Sequence, residues 1–345
     1  MPSSGQPRAS PKRARPTMVD VARRAGVSLK TVSRVVNGEP AVHPETLRSV
    51  QAAIEALGFR RNDSASALRR GTSTQSLGLL LENVSDPFYS VLTRAVEEVA
   101  LRHDFLVFTG SSDEDAARER RLALAFCARR VDGLVIVPTP DDHGYLVPEV
   151  RAGTHVVFAD RPGAGLTADA VLVDNAGGTR AAVEHLAAHG HKRIAFIGDD
   201  QRIYTATERL RGYREAMRRL GLPLDEALIS TGTPTEDSIR AALARFAAQR
   251  RPPTAVLTGN NRTTVLVLRF FAASPSARPA LVGFDDFELA EALVPAVTVI
   301  AQDPAALGAR SAELLFSRLA GDRRPPQRVV LPVRLVARGS GELRP

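Results

Sequence analysis

The sequence predicts a small all-α unit followed by a large α/β unit in which parallel sheets form two similar lobes. Three compact helical patterns end near residue 59, and from residue 76 apolar strand-like runs alternate with amphipathic helical stretches. Such alternation is typical of parallel sheets covered by helices, and about eight strand–helix pairs are more than one doubly wound sheet usually contains. We therefore expect a disordered basic arm at 1–16, a helical unit at 17–61, a linker at 62–75 and the two-lobed unit at 76–340.

Length and composition indicate a soluble protein of several domains. The 345 residues exceed one compact domain, and 44% of them are hydrophobic, which is an ordinary value for a globular protein. The longest apolar runs, such as Leu77–Leu81, are too short to span a bilayer, and no apolar segment of a signal peptide follows the basic N-terminus. The one cysteine, Cys127, lies in an apolar helical stretch, so we expect a buried thiol and no disulfide. We expect the protein to be cytoplasmic.

The excess of positive over negative charge is confined to the beginning of the chain. Residues 1–74 hold 13 of the 46 lysines and arginines but 5 of the 38 aspartates and glutamates, so this segment carries the whole net charge of +8. Such an asymmetry favours a polyanionic partner, with a solvated basic tail as the alternative.

Residues 17–38, TMVDVARRAGVSLKTVSRVVNG, predict two short helices joined by a tight turn. Thr17 and Asp20 have the spacing of a capping box. Gly26 can take the positive φ of the turn, and Ser28 can cap the second helix. A third helix is expected to begin at Pro44.

The second helix has an inner and an outer face. Val32, Val35 and Val36 form the inner face. The outer face is formed by Leu29, Lys30, Ser33 and Arg34. Basic side chains can donate to guanine O6 and N7, and leucine can pack on a thymine methyl, so this face suits the major groove of DNA. An ordinary helical hairpin with a charged solvent face is the alternative, which the charge asymmetry disfavours.

The run resembles the N-terminal signature of the LacI/GalR (lac repressor/galactose repressor) family, and the resemblance extends over residues 17–340. It implies a sequence-specific transcriptional regulator, usually a repressor, in which a helix-turn-helix DNA-binding domain is joined to a periplasmic-binding-protein-like effector domain. It implies that Leu29, Lys30 and Arg34 read bases. The phosphate contacts that it implies are Thr17, Ser28, Thr31, Ser33 and Asn37. One departure is His43, where the family usually has a serine that caps the third helix.

Residues 62–71 predict a short linker helix of about two turns, with Asn62 as its N-cap. Because so short a helix is marginal in water, we expect it to fold only when docked. Read alone, Leu68 is better explained as a contact with the α/β unit. The resemblance instead implies that Leu68 is a minor-groove wedge, with Asn62 and Ala65 also at the DNA. Arg61 departs from the family, in which many members have proline.

The strands of the α/β unit are predicted from short apolar runs, and the helices from amphipathic stretches. The predicted strands are Leu77–Leu81, Leu106–Thr109, Gly133–Val137, Val156–Ala159, Ala170–Val173, Ile194–Gly198, Ala255–Thr258 and Leu281–Phe284, with a last strand in VVLPVRLVA. Predicted helices include Pro87–Arg102, Ala176–His189, Thr205–Leu220 and Ser238–Gln249.

Polar residues follow several of these strands, at the edge where parallel sheets bind ligands. The resemblance implies that the best effector ligands are Arg209 and Asp285, followed by Phe88, Asp160, Thr205 and Asn260. Taken singly, each is as well explained by a cap, a turn or a surface ion pair. We expect Asp174 and Asp286 to cap helices. The family commonly has Asn-Asp where this chain has Asn260 and Asn261, a change that bears on ligand preference or on the coupling of the lobes.

These observations favour a regulator over an enzyme. The sequence has no dinucleotide-binding, Walker, nucleophile-elbow or zinc-protease motif, and His185, His189 and His191 suit a helix C-terminus better than a metal. We therefore expect no catalytic residue, no cofactor and no metal. The family binds mostly sugars and sugar phosphates, sometimes purines, and we favour a sugar because no phosphate cradle is visible. A cytoplasmic sugar-binding or sugar-processing protein with an incidental basic arm is the alternative of another class.

The partners expected are double-stranded DNA and a second copy of the chain. A C2 homodimer would present two reading helices to a pseudo-palindromic operator. No leucine heptads follow the last strand, so we do not expect a tetramer formed in that way.

Overall fold

The computed structural model describes residues 16–40, 42–60, 73–273 and 278–345. These divide into two units, one ending at Thr74 and the other beginning at Gln75. The linker helix predicted at 62–71 lies outside the described ranges, and so does the predicted basic arm except for Pro16. None of the helices within those ranges combines the length and the apolar composition that crossing a membrane requires.

The first unit contains α1 (Met18–Ala25), α2 (Leu29–Val36) and α3 (Pro44–Leu57). The predicted capping box is present, because Thr17 Oγ1 accepts from the Asp20 amide and the Asp20 carboxylate accepts from the Thr17 amide. Gly26 ends α1 with a φ of 67°, and Ser28 caps α2. His43 makes no side-chain cap to α3. A small core holds the three helices together and consists of Val21, Ala22, Val32, Val50 and Ala53.

The N-lobe of the second unit is built on one parallel sheet with the order β11-β5-β4-β3-β1-β2. Its strands are β1 (Ser76–Leu81), β2 (Leu106–Ser111), β3 (Gly133–Ile136), β4 (His155–Ala159), β5 (Asp169–Val173) and β11 (Arg328–Leu331). Helices α4 (Pro87–Arg102) and α11 (Pro304–Leu319) cover one face, and α5 (Ala116–Ala128) covers the other. A short α6 (Val147–Arg151) precedes β4. Cys127 is buried in this lobe, as predicted.

The C-lobe sheet has the order β12-β10-β9-β8-β6-β7 and is parallel except where β12 pairs with β10. Its strands are β6 (Ile194–Ile197), β7 (Ile229–Ser230), β8 (Ala255–Thr258), β9 (Ala280–Phe284), β10 (Thr298–Ala301) and β12 (Arg334–Val336). Helices α7 (Asn175–Ala188) and α8 (Tyr204–Arg219) cover one face, and α9 (Glu236–Ala247) and α10 (Asn261–Ala273) cover the other. The two lobes therefore repeat one architecture, which confirms the predicted fold class.

Within the described residues the chain crosses between the lobes three times. The first crossing lies between β5 and α7, and the second lies between β10 and α11. The third lies at Pro332 and Val333, between β11 and β12. The prediction of one last strand in VVLPVRLVA was wrong, since the run forms two strands in different sheets. Proline has no backbone N–H to donate to a ladder, so a strand tends to end there.

Candidate ligand cleft and nucleic-acid interface

The outer face of α2 is exposed, as the sequence predicts. Leu29 keeps 49% of its surface accessible to solvent, whereas Val32 on the opposite face is fully buried. Lys30 is also exposed, and Ser33 is half-buried. Leu29 and Lys30 are thus both accessible on one helix face, where they can reach the base edges of a major groove.

Other predicted DNA-contact residues lie around this face, and several of them make side-chain hydrogen bonds or ion pairs. Ser28 Oγ lies 2.9 Å from Thr31 Oγ1, and Asn37 Nδ2 donates to Ser33 Oγ at 3.3 Å. The Arg34 guanidinium lies 3.4 Å from the Glu39 carboxylate near the end of α2. Thr17 is exposed at the start of α1. The linker candidates Asn62, Ala65 and Leu68 lie outside the described residues.

All six predicted effector residues line one cleft between the lobes. The cleft holds about 570 Å³ of space, part of it open to solvent. The predicted residues in its lining are Phe88, Asp160, Thr205, Arg209, Asn260 and Asp285. They follow strands of both sheets or lie in the first two turns of helices, so the carboxyl ends of the strands face the cleft from both sides. This placement agrees with the position predicted for the cleft.

Arg209 is the most constrained side chain of the cleft. Its guanidinium lies on the ring of Phe284, with 3.9 Å between Cζ and the ring centroid. Nε donates to Asn175 Oδ1 at 2.7 Å, and Nη1 donates to the Gly259 carbonyl at 2.6 Å. Nη1 also lies 3.3 Å from Asp285 Oδ2. Because a planar guanidinium with these partners cannot rotate freely, Arg209 presents its remaining donors in a fixed direction.

Two buried carboxylates, Asp160 and Asp285, follow β4 and β9 in the left-handed backbone region, with φ values of 66° and 68°. Burial raises the pKa of both carboxyls. The positive charge of Arg161 opposes this rise at Asp160, and that of Arg209 opposes it at Asp285. In the part of the chain that the structure describes, Asp160 Oδ1 and Gln302 Oε1 are buried without a hydrogen-bond partner. The cleft therefore offers acceptors that a ligand rich in hydroxyl groups can satisfy.

A second buried network surrounds Arg161 on the N-lobe side. Its guanidinium lies 3.0 Å from Glu82 Oε2, 2.6 Å from Glu114 Oε1 and 3.3 Å from Asp160 Oδ2. Tyr89 donates its hydroxyl to Glu82 Oε2 at 3.0 Å. Burial raises the pKa of Glu114 to about 7. Glu82 and Gln302 were not among the predicted cleft residues, although each directly follows a strand, and that position was the available signal.

Contacts across the cleft also join the lobes directly. Asn261 Nδ2 of the C-lobe donates to Asp86 Oδ1 of the N-lobe at 3.2 Å. On the other side, Arg328 of β11 donates to the Tyr204 hydroxyl, and its guanidinium lies 5.7 Å from the centroid of that ring. The two lobes are therefore in direct side-chain contact in this structure.

The predicted caps and histidines had mixed outcomes. Asp174 caps α7 as predicted, by accepting from the Gly177 amide. The prediction for Asp286 was wrong, since no helix begins directly after it and its carboxylate instead pairs with Arg338 at 2.7 Å. His185 lies in the last turn of α7. Among the described residues, no group of three or more His, Cys, Asp or Glu side chains could hold a metal ion.

Family models match both units of the chain. A model of the bacterial regulatory proteins of the lacI family matches residues 17–62, and a model of periplasmic-binding-protein-like domains matches residues 183–341. The chain is 34% identical over 340 residues to the HTH-type transcriptional regulator CelR of Thermobifida fusca, which covers 96% of this chain and 99% of that protein.

Solved structures are similar to this chain over nearly its whole length. The complex of the transcriptional regulator CelR with cellobiose is 32% identical, with a TM-score of 0.68, and covers 94% of this chain and 100% of that one. The lac repressor dimer bound to operator and the anti-inducer ONPF is 26% identical, with a TM-score of 0.81, and covers 95% of this chain and 99% of that one.

Proposed function

This chain belongs to the lacI family of bacterial regulatory proteins, and we propose that it is a repressor whose affinity for a DNA operator is set by a small molecule in the cleft. As a transcriptional regulator it is not an enzyme. The observation that carries the proposal is the outer face of α2, where Leu29 stays 49% exposed beside Lys30. In the proposed complex, Leu29, Lys30 and Arg34 contact bases, while Thr17, Ser28, Thr31, Ser33 and Asn37 contact phosphates.

For the effector we propose a neutral sugar. Asp160 Oδ1 and Gln302 Oε1 lack donors among the described residues, and sugar hydroxyls can supply them. The guanidinium groups of Arg161 and Arg209 are both engaged by carboxylates, which makes them poor partners for a phosphate. The solved complex of the similar CelR with cellobiose supports this choice. The proposed contacts are Phe88, Asp160, Thr205, Arg209, Asn260 and Asp285, with Gln302 added.

For the assembly we propose a homodimer formed through the N-lobe and the C-lobe. The edge strand β2 and the end of α4 leave large apolar side chains in water: Leu106 is 69% exposed, Phe108 is 42% exposed and Leu101 is 71% exposed. An open sheet edge with such side chains favours a protein partner. The similar lac repressor structure is a dimer. The roles of Asn62, Ala65 and Leu68 at the minor groove remain proposals from the sequence.

The test is operator binding by the full chain. Duplexes selected from a random pool supply the operator, and its affinity is measured at several salt concentrations with and without cellobiose. We expect affinity to fall steeply with salt, because displaced phosphate counterions are released on binding. We expect cellobiose, the probe suggested by CelR, to change operator affinity. A chain that selects no sequence and shows no salt dependence would contradict the proposal.

A further inference from the structure

The ion pair between Arg209 and Asp285 is held at both ends by amide side chains, and each amide lies at a crossing between the lobes. Asn175 stands at the first crossing as the first residue of α7, and only 2% of its surface is exposed. Its Oδ1 accepts from Arg209 Nε at 2.7 Å. Its Nδ2 donates to the carbonyl of Val173, the last residue of β5, at 3.3 Å. One amide thus joins a cleft guanidinium to the end of an N-lobe strand.

Gln302 occupies the corresponding position at the second crossing. It directly follows β10, and the next residue, Asp303, is the N-cap of α11. Gln302 Nε2 donates to Asp285 Oδ1 at 2.5 Å. Helix α11 belongs to the N-lobe core, in which Leu307 and Leu315 are fully buried. The cleft carboxylate is thereby joined to the helix that re-enters the N-lobe.

Apart from the hydrogen bonds to these two amides, the ion pair makes its hydrogen bonds and its ring contact within the C-lobe. Arg209 lies on the Phe284 ring and donates to a backbone carbonyl of the C-lobe. The backbone amide of Asp285 donates to the Ile300 carbonyl at 2.9 Å, which ties it to β10 of the same lobe. The third crossing differs, because Val333 packs against the C-lobe core. Asn175 and Gln302 are therefore the side chains that hydrogen-bond to the pair from the first and second crossings.

An amide is the side chain that can do this without adding charge. It accepts through oxygen and donates through nitrogen at the same time, so it can connect an arginine or a carboxylate to a third group. A carboxylate in either place would add negative charge to a buried cleft that already contains Asp160 and Asp285.

We propose that Asn175 and Gln302 are positioning residues that convert effector contact with Arg209 and Asp285 into movement of the first and second crossings. The inference rests on the proposed function, in which the cleft binds an effector that controls operator affinity. An effector hydroxyl that bonds to the ion pair changes how tightly the pair holds the two amides. The change reaches the N-lobe through β5 and α11.

The test separates effector affinity from coupling. Asn175→Asp keeps an acceptor for Arg209 but cannot donate to the Val173 carbonyl, and Gln302→Met keeps the length of the side chain but loses the donor to Asp285. Coupling is the ratio of operator affinities with and without saturating cellobiose, measured on the full chain. For both variants we expect this ratio to move toward one by about fivefold or more, a loss typical of a broken coupling. Asn175→Asp should still be saturated by cellobiose. Gln302→Met also loses the acceptor proposed for a sugar hydroxyl, so its cellobiose affinity is measured first and its ratio is taken at a concentration that saturates that variant.

The matched control is Asn83→Asp, which makes the same chemical change in the N-lobe away from the crossings. Asn83 Oδ1 accepts from the Ser85 amide, and an aspartate can do the same. We expect Asn83→Asp to keep the wild-type ratio. If Asn175→Asp and Gln302→Met also kept the wild-type ratio, the inference would be overturned.

Amide hydrogen exchange of the effector-free protein gives an independent readout. We expect Asn175→Asp to speed exchange around residues 173–176 and Gln302→Met to speed it around 302–306, each by about tenfold, because each loses a hydrogen bond that restrains its crossing. Unchanged exchange in both variants would also overturn the inference. If wild-type protein failed to bind cellobiose, the proposed sugar effector would lose its support, whereas the exchange comparison would still decide whether the amides restrain the crossings.

Discussion

Asn261 Nδ2 lies 3.2 Å from Asp86 Oδ1, so one neutral amide joins the two lobes across the mouth of the cleft. Asp86 is itself fixed, because it caps α4 and its Oδ1 accepts from the Phe88 amide at 2.9 Å. The aspartate that the family commonly has at position 261 would face this carboxylate with a second negative charge. The amide therefore favours contact between the lobes.

Asn261→Asp is expected to separate the lobes and to weaken cellobiose binding by about tenfold at low salt, because two like charges at this distance repel. The measurement is effector affinity at low and high salt, with the lobe separation followed by paired spin labels. Asn261→Ala removes the hydrogen bond without adding charge and should have a smaller, salt-independent effect. Equal effects of the two variants would contradict the electrostatic explanation.

Arg209→Lys is expected to weaken effector binding by about one hundredfold, because an ammonium cannot replace the planar fork that contacts Asn175, Gly259 and Asp285 together. Operator binding without effector should change by less than about twofold, since these contacts lie outside the DNA-binding unit. The measurement is calorimetric titration with cellobiose. Arg211→Lys, on the solvent-facing side of the same helix, is the matched control and should bind normally.

We expect substitutions on the outer face of α2 to separate two effects, the overall affinity for the operator and the preference for particular bases. Lys30→Ala should relax base preference at one operator position and weaken operator binding by about 1–3 kcal/mol, because Lys30 is proposed to contact a base. A uniform loss across sequences with a salt dependence lowered by about one counterion would instead indicate a phosphate contact. Leu29→Ala should cost about 1–2 kcal/mol of operator binding with little change in the salt dependence. Arg250→Ala, an exposed charge change in the C-lobe, is the control. Wild-type binding by both α2 variants would contradict the proposed reading face.

Glu114 should make folding stability depend on pH. Burial raises its pKa from 4.5 to about 7, against the lowering influence of Arg161 and with Glu82 adding to the rise. In the unfolded chain the carboxyl loses its proton near pH 4.5, whereas the folded protein retains it until about pH 7. The folded state therefore binds more protons within this window, so the contribution of Glu114 to stability falls as pH rises through it.

Glu114→Gln fixes a neutral side chain at this position. It is expected to raise the free energy of unfolding by about 1–2 kcal/mol at pH 8 and to change it little at pH 4. The gain at pH 8 is smaller than the full pKa shift would give, because the side chain is partly exposed and solvent screens its charge. Denaturant unfolding at both pH values is the measurement. Glu97→Gln, on the exposed face of α4, should leave the pH dependence unchanged. A variant as sensitive to pH as the wild type would show that Glu114 is not the group responsible.

Elements set by neighbouring residues were predicted well. The capping box of Thr17 and Asp20, the turn at Gly26 and the cap at Asp174 involve partners within a few positions, so the sequence specifies them locally. Helix α4 was predicted with its observed bounds, Pro87–Arg102, because a proline and an N-cap mark its start.

Elements whose identity depends on distant pairing were predicted less well. The strand β7 was not predicted because it has two residues and no local pattern. Strand β10 was also missed, although its β-branched run TVIA was an available signal. Asp286 resembles a helix cap in the sequence, but its partner is Arg338, 52 positions away.

The sequence alone determined the helix-turn-helix, the two-lobed architecture and the set of polar residues that follow strands. These features depend on periodicity, caps and strand–helix alternation, which involve residues close together in the chain. Only the tertiary structure decided that Asn175 and Gln302 hold Arg209 and Asp285, and that Asn261 meets Asp86. Those contacts join segments brought together by sheet order and chain crossings, and no local pattern encodes such a juxtaposition.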